Sequence, residues 1–140
     1  MAQTVQEIMN RSPVTERAGD TLLDAARHMR DADIGAVVVV DERSRVTGVV
    51  TDRDITVRGV AEGLDPRSAK LADVVTHDLV AVSPNDSLDT AAELMRTHSV
   101  RRLPVLDGER LVGVVSLGDL AMEKDERSAL ADISSQEPNN

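Results

Sequence analysis

Phe, Tyr and Trp are all absent from this 140-residue chain, and so is Cys. Without Phe, Tyr and Trp, a core has to be assembled from Val, Leu, Ile, Met and Ala, and the composition argues against single-stranded nucleic-acid binding, which usually stacks bases on such rings. Without thiols, neither a disulfide framework nor a thiolate metal site can form, a composition that fits the cytoplasm. Positive charge is scarce. The 16 Lys and Arg face 25 Asp and Glu, a net charge of -9, so the broad basic footprint of a DNA or membrane-surface binder is missing. Long apolar runs are missing too. The longest, Ile34 to Val40, falls far short of the roughly 20 residues of a spanning helix. The N-terminus shows no basic start followed by an apolar run, so no signal peptide is expected. His28, His77 and His98 have no metal-ligand spacing among them, and no metal site is expected.

What the chain does contain is a repeat. Gly48-Val49-Val50-Thr51-Asp52-Arg53-Asp54 returns as Gly113-Val114-Val115-Ser116-Leu117-Gly118-Asp119. Each copy reads as an apolar strand running into a hydroxyl residue, with an acid three positions on. That spacing suits a helix N-terminus: the hydroxyl accepts from a free backbone N–H, and the acid lies against the positive end of the helix dipole. An uncovered helix N-terminus is also an anion site. The residues alone leave both readings open, a pair of capping boxes or a pair of ligand turns.

The rest of the chain repeats with them. Val5 to Met9 reads as a short helical entry, broken by Ser12-Pro13, with Val14-Thr15 extended after it. Asp20 is the expected N-cap of a helix with an apolar stripe at Leu22, Ala25, Ala26 and Met29. Gly35 is the expected turn out of it. Ala36 to Val40 reads as a buried strand, Asp41 to Ser44 as a turn and Arg45 to Val50 as a second strand. A helix from Asp52 is expected to carry Ile55, Val57, Val60 and Ala61 inward, weakened by Gly59. After the turn-rich connector Gly63 to Ser68, Val74 falls 66 residues beyond Ile8, Asp86 answers Asp20, and Leu88, Ala91, Ala92 and Met95 reproduce the first stripe. Leu103-Pro104-Val105-Leu106 answers Val37 to Val40, with Pro104 expected at a sheet edge or strand start, and Asp107-Gly108 signals a hairpin. From Glu123 the chain is expected to continue as helix to about Ile133 and then to be disordered. The expectation is a mixed α/β domain of two repeats, residues 1–63 and 71–122, joined by a connector at 64–70 and followed by an extension at 123–140. The repeats are expected to pack face to face about a pseudo-two-fold axis, with the two turns in the cleft between them.

The entry segment, the strand before the hairpin and the Gly-h-h-Thr/Ser-x-x-Asp turn, each present twice over about residues 5–122, resemble a tandem CBS pair, also called a Bateman module. Thr51 to Ile55 followed by Gly63-Leu64-Asp65-Pro66 is similar to small bacterial proteins of the hypoxic response protein type, and a stand-alone module is expected. The resemblance implies two such repeats, each with a small sheet and two main helices. It also implies a homodimer and an adenosine-containing ligand (AMP, ADP, ATP or another adenosine derivative) bound between the repeats. It places ribose-binding acids at Asp54 and Asp119 and phosphate-holding hydroxyls at Thr51 and Ser116. The base-flanking backbone falls at Val14, Thr15, Ile34, Gly35 and Ala36 in the first repeat, and at Val80, Ala81, Val100, Arg101 and Arg102 in the second. Arg53 joins the candidates as a cation beside Asp52. The small Gly35 and Ala36 make the first turn the expected stronger site.

Two functions follow. The first is a non-enzymatic regulatory module sensing an adenosine ligand between the repeats and passing the result on through dimer geometry or a surface for a partner protein; no cofactor, nucleic acid or membrane is called for. The alternative is a ligand-free dimeric adaptor whose turns are only caps. An enzyme is disfavoured, because no Walker-type loop and no tied His–acid pair stands out.

Overall fold

The computed structural model describes residues 2–77 and 79–125. Both apolar stripes become 11-residue helices, α1 (Leu22–Ala32) and α3 (Leu88–His98), which bury Leu22, Ala25 and Met29, and Leu88, Ala91 and Met95. Their starts lie one residue later than the acids implied. Thr21 caps α1, accepting from the Asp24 N–H at 3.1 Å while Asp24 accepts from the Thr21 N–H. Ser87 caps α3, accepting from the Thr90 N–H at 3.1 Å. Asp20 and Asp86 instead close the preceding turns, accepting from the N–H groups of Arg17 and Ser83, each at 2.8 Å. The end of α1 is also earlier than Gly35 implied. Asp33 and Ser99, each with φ 54°, take the left-handed conformation that stops a helix.

The chain divides into two compact units. The N-terminal unit comprises Ser12–Val80 with Asp107–Leu111. Its sheet runs β1 (Thr15–Glu16), β2 (Ala36–Val40), β3 (Val46–Thr51), with β1 parallel and β3 antiparallel to β2. β2, in the middle and buried from Val37 to Val40, is the continuous Val run. Its residues join α1 and the segment Leu71–Val75 in one core. That segment docks through backbone bonds, Leu71 N–H to Asp20 O at 2.9 Å and Leu22 N–H to Ala69 O at 3.1 Å, and Thr76 bridges to Val49.

β3 runs into α2 (Asp52–Asp54), which widens at once into a π-helical stretch, Ile55–Val60. Here the expected burial is corrected. Val57 and Val60 are 44% and 59% exposed and Ala61 is exposed, whereas Gly59 is buried and Ile55 partly so. A Cβ on Gly59 would lie 2.8 Å from Leu22 Cδ1. The helix backbone itself rests on Leu22, and the wide turn swings the two valines outward.

Of the described residues, the C-terminal unit comprises 2–11, Ala81–Leu106 and 112–125. The entry segment expected in the first repeat therefore packs here. A 3₁₀ turn at Val5–Glu7 is held by Val5 N–H to Asp86 O at 2.9 Å and Gln6 N–H to Pro84 O at 3.0 Å, and Asn10 pairs with Val114. β4 (Arg102–Asp107) and β5 (Arg110–Ser116) form a hairpin. Pro104 is the third residue of β4 and is buried. Its carbonyl accepts from the Val82 N–H at 3.1 Å, on a side where β4 has only an isolated bridge, so its missing donor costs no ladder bond. Residues 117–125 are helical (α4). The expected continuation to Ile133 and the polar tail lie outside the described residues.

Candidate functional site

Each unit carries one copy of the repeated turn, built the same way. In the N-terminal unit Thr51 Oγ1 accepts from the Asp54 N–H at 3.1 Å, and Asp54 Oδ2 accepts from the Thr51 N–H at 2.9 Å. In the C-terminal unit Ser116 Oγ and Asp119 Oδ2 repeat both bonds, each at 3.0 Å. The capping reading is thus correct for both turns. It consumes one carboxylate oxygen and leaves Oδ1 of each half-buried acid without an acceptor role among the described residues.

The strand before each hairpin is tied to its turn. The Asp52 N–H donates to Gly35 O at 2.9 Å, and the Leu117 N–H to Arg101 O at 2.7 Å. Ala36 pairs with Thr51 across the ladder. The Val14 carbonyl accepts from the Val38 N–H at 3.1 Å, and Thr15 pairs with Val38. Val14, Thr15, Gly35, Ala36, Thr51 and Asp54 are therefore gathered along β2 and β3. Ile34 is drawn back to α1, its N–H bonded to Met29 O at 3.0 Å. In the C-terminal unit Val100 is likewise bonded to Met95 O at 3.0 Å, Arg101 reaches the Ser116 turn through its carbonyl, and Arg102 opens β4. Ala81 precedes the Val82 bridge to Val105. Val80, expected with the second repeat, falls in the N-terminal unit and has no hydrogen bond to the Thr51 turn among the described residues. The guanidinium groups of Arg53, Arg101 and Arg102 form no ion pair among the described residues.

The first turn is not the uncovered helix end its sequence implied. Besides the Asp52 and Asp54 amides, the Arg53 N–H is taken, by Asp52 Oδ1 at 2.9 Å. In the second turn the equivalent Gly118 N–H has no acceptor among the described residues, because Leu117 stands where the first turn has Asp52.

The model of the family described as CBS domain matches this chain twice, at residues 5–58 and 71–126. The chain belongs to the CBS-domain family. It is 39% identical to the CBS domain-containing protein YhcV of Bacillus subtilis over 137 residues, 95% of this chain and 96% of that one. It is 38% identical to Hypoxic response protein 1 of Mycobacterium tuberculosis over 118 residues, 84% and 82% of the two chains. A solved Hypoxic Response Protein I, described with two coordinated zinc ions, matches with a TM-score of 0.77 at 38% identity, covering 85% of this chain and 97% of that one. A CBS domain pair solved in complex with 5′-methylthioadenosine and S-adenosyl-L-methionine matches with a TM-score of 0.82 at 22% identity, covering 89% and 97%. Among the described residues of this CBS pair no three His, Asp or Glu side chains gather to hold a metal ion, and Cys is absent. No described helix is long and apolar enough to cross a membrane.

Sequence reading missed one polar cluster in the N-terminal unit. Glu16 on β1 is buried, 5% exposed, against His28 Nδ1 from α1, with Asp20 beside it. Burial pushes the Glu16 carboxyl above its usual range, helped by a hydrogen bond shared with Asp20 and opposed by His28. The bond to Glu16 holds the His28 imidazole above its usual range. Asp20 is lowered by the bonds from Glu16 and from the Arg17 backbone. The one available signal was period two: Glu16 follows exposed Thr15 and so points into the unit.

Proposed function

We propose that this CBS pair is a regulatory module that binds an adenosine-containing ligand at its Thr51–Asp54 and Ser116–Asp119 turns, without chemistry of its own. The observation that carries the reading is the state of the two acids. Each is half-buried and held rigid by its own cap, with Oδ1 left open. A fixed carboxylate of this kind accepts from vicinal ribose hydroxyls, as acids do in other nucleotide folds. Beside it, Gly35 and Ala36 let a planar base approach the backbone closely. That a CBS pair of this fold has been solved with adenosine derivatives is compatible with the reading, but this chain's own residues have to carry it.

The module pairs with a second copy in this reading. Val57, Val60, Leu117 and Met122 are 44–65% exposed on helices at the surfaces of their units, where apolar side chains gain by being covered. The ligand-free adaptor keeps one observation in its favour, the closure of all three leading amides of the first turn. Calorimetry of the parent protein against AMP, ADP, ATP, S-adenosylmethionine and NAD tests the choice. At least one ligand is expected to bind the parent and to be lost in the Asp54→Ala/Asp119→Ala double variant. Silence across the panel leaves the adaptor.

A further inference from the structure

The two turns share a cap and differ in what lies in front of it. In the first, Asp52 N–H goes to Gly35 O, Arg53 N–H to Asp52 Oδ1 and Asp54 N–H to Thr51 Oγ1. The Asp52 carboxylate is exposed and stands two residues from that of Asp54. In the second, Leu117 brings no carboxylate and the Gly118 N–H has no acceptor among the described residues. An anionic 5′ group entering the first turn would find no open backbone donor and would meet two carboxylates. Both charges are exposed, but the Asp52 carboxylate is held at the turn by the bond it accepts from the Arg53 N–H at 2.9 Å, whereas the Arg53 guanidinium sits on a flexible stem with no ion pair among the described residues to hold it there. A neutral or cationic 5′ group loses nothing by the closed amides, and a cation gains from the second carboxylate.

We propose that Asp52 is a specificity-determining residue. It bars 5′-phosphorylated adenosine from the Thr51–Asp54 turn and reserves that turn for adenosine derivatives with an uncharged or cationic 5′ substituent. The second turn lacks this exclusion. The inference rests on the nucleotide-binding reading above and assigns the ligand class within it.

The test uses the full chain carrying Asp119→Ala, so that only the first turn keeps its ribose acid. AMP and 5′-methylthioadenosine are titrated calorimetrically into this protein and into its Asp52→Ala and Asp52→Asn derivatives, with melting curves checking that each is folded. The single variant is expected to bind 5′-methylthioadenosine more tightly than AMP. Asp52→Ala, which removes the charge and opens the Arg53 N–H, is expected to strengthen AMP about tenfold and to change 5′-methylthioadenosine less than about threefold. Asp52→Asn, which keeps an oxygen on that N–H, falls between. AMP binding unchanged or weakened by Asp52→Ala overturns the proposal while nucleotide binding stands. So does a parent protein that binds when the Asp119→Ala protein does not. A parent that binds neither probe removes the nucleotide reading and this proposal together.

Discussion

Gly48 opens the repeated motif, and Ala in its place is the sharpest test of how the N-terminal unit is put together. A Cβ at this position would sit 2.5 Å from Val75 Cγ2 and 2.6 Å from the Thr76 carbonyl oxygen. The valine methyl can turn, but the carbonyl belongs to a backbone that crosses β3 and bridges it at Val49. Restoring ordinary contact, near 3.5–4 Å, asks that segment to move by roughly 1 Å. The Thr76 N–H to Val49 O bond, already 3.4 Å, would break, and Val74 and Val75, 0% and 4% exposed, would loosen in the core. Overpacking costs about 1–3 kcal/mol. With the loosened valines the total is about 2–4 kcal/mol, a fall in Tm of roughly 8–15 °C for a chain of this size. Gly113→Ala meets Met9 Sδ at 2.6 Å and Asn10 O at 2.8 Å. The methionine yields more easily, so its loss is the smaller of the two. Gly19 is the control, since a Cβ there would have nothing within 4 Å, and Gly19→Ala should stay within about 0.5 kcal/mol of the parent. Scanning calorimetry reads all three. Gly48→Ala melting within about 3 °C of the parent, under 1 kcal/mol for this chain length, would refute the close crossing of β3 by residues 74–76.

Stability should also depend on pH through Glu16 and His28. The His28 pKa is raised in the fold, so its contribution is fully present below the unfolded value near 6.5 and is lost as pH rises through the higher folded value. Glu16, also raised, costs stability as it ionises, from about pH 4.5 up through its higher folded value, so both groups weaken the fold as pH rises, Glu16 beginning below His28. Asp20, lowered, acts only in acid, losing its contribution below about pH 3.8. His28→Ala leaves the buried carboxylate without its partner and should cost about 1–3 kcal/mol at about pH 6, while flattening the decline in Tm from there to about pH 8; an unchanged slope would exclude the pair as its source. For 5′-methylthioadenosine, Asp54→Ala should weaken calorimetric binding by about 2 kcal/mol, roughly thirtyfold, and Asp119→Ala by less, with equal losses counting against a stronger first turn. Light scattering at micromolar concentration should give the mass of two 15.1 kDa chains, and Val57→Glu/Val60→Glu should shift it toward one.

The repeat was legible because two copies in register constrain each other. Stripes at Leu22, Ala25 and Met29 and at Leu88, Ala91 and Met95 bury as periodicity requires, and the Val run becomes the middle strand. Boundaries were less legible, since Thr21 and Ser87 stand next to acids that could equally have capped. Only hydrogen bonds distinguish a residue closing the turn before a helix from one opening the helix itself. The outward turn of Val57 and Val60 was hidden for a different reason. A period of 3.6 assumes α-helix, and the stretch Ile55–Val60 is π-helical, with Gly59 lying on Leu22. An offset of 66 residues shows that Val5–Glu7 and Leu71–Asp73 are equivalent, not which sheet either packs on. The entry segment of the first repeat lies with α3 and β5, a pairing carried by Val5, Gln6 and Asn10 bonds that no periodicity encodes.

The Thr/Ser–Asp turn shows why a motif of this kind cannot be assigned from sequence. Capping and ligand binding call on the same atoms, a hydroxyl, an acid and the amides between them. What separates the two is how many of those atoms the fold has already used. At Thr51 the hydroxyl, one acid oxygen and all three amides are used, and the open oxygen of Asp54 is what remains. At Ser116 the Gly118 amide, with no acceptor among the described residues, remains as well. The informative group is therefore the acid, which both turns keep available, whereas the amides differ with one neighbouring residue, Asp52 in one copy and Leu117 in the other. Two turns alike in fold thus differ in the charge they can accept.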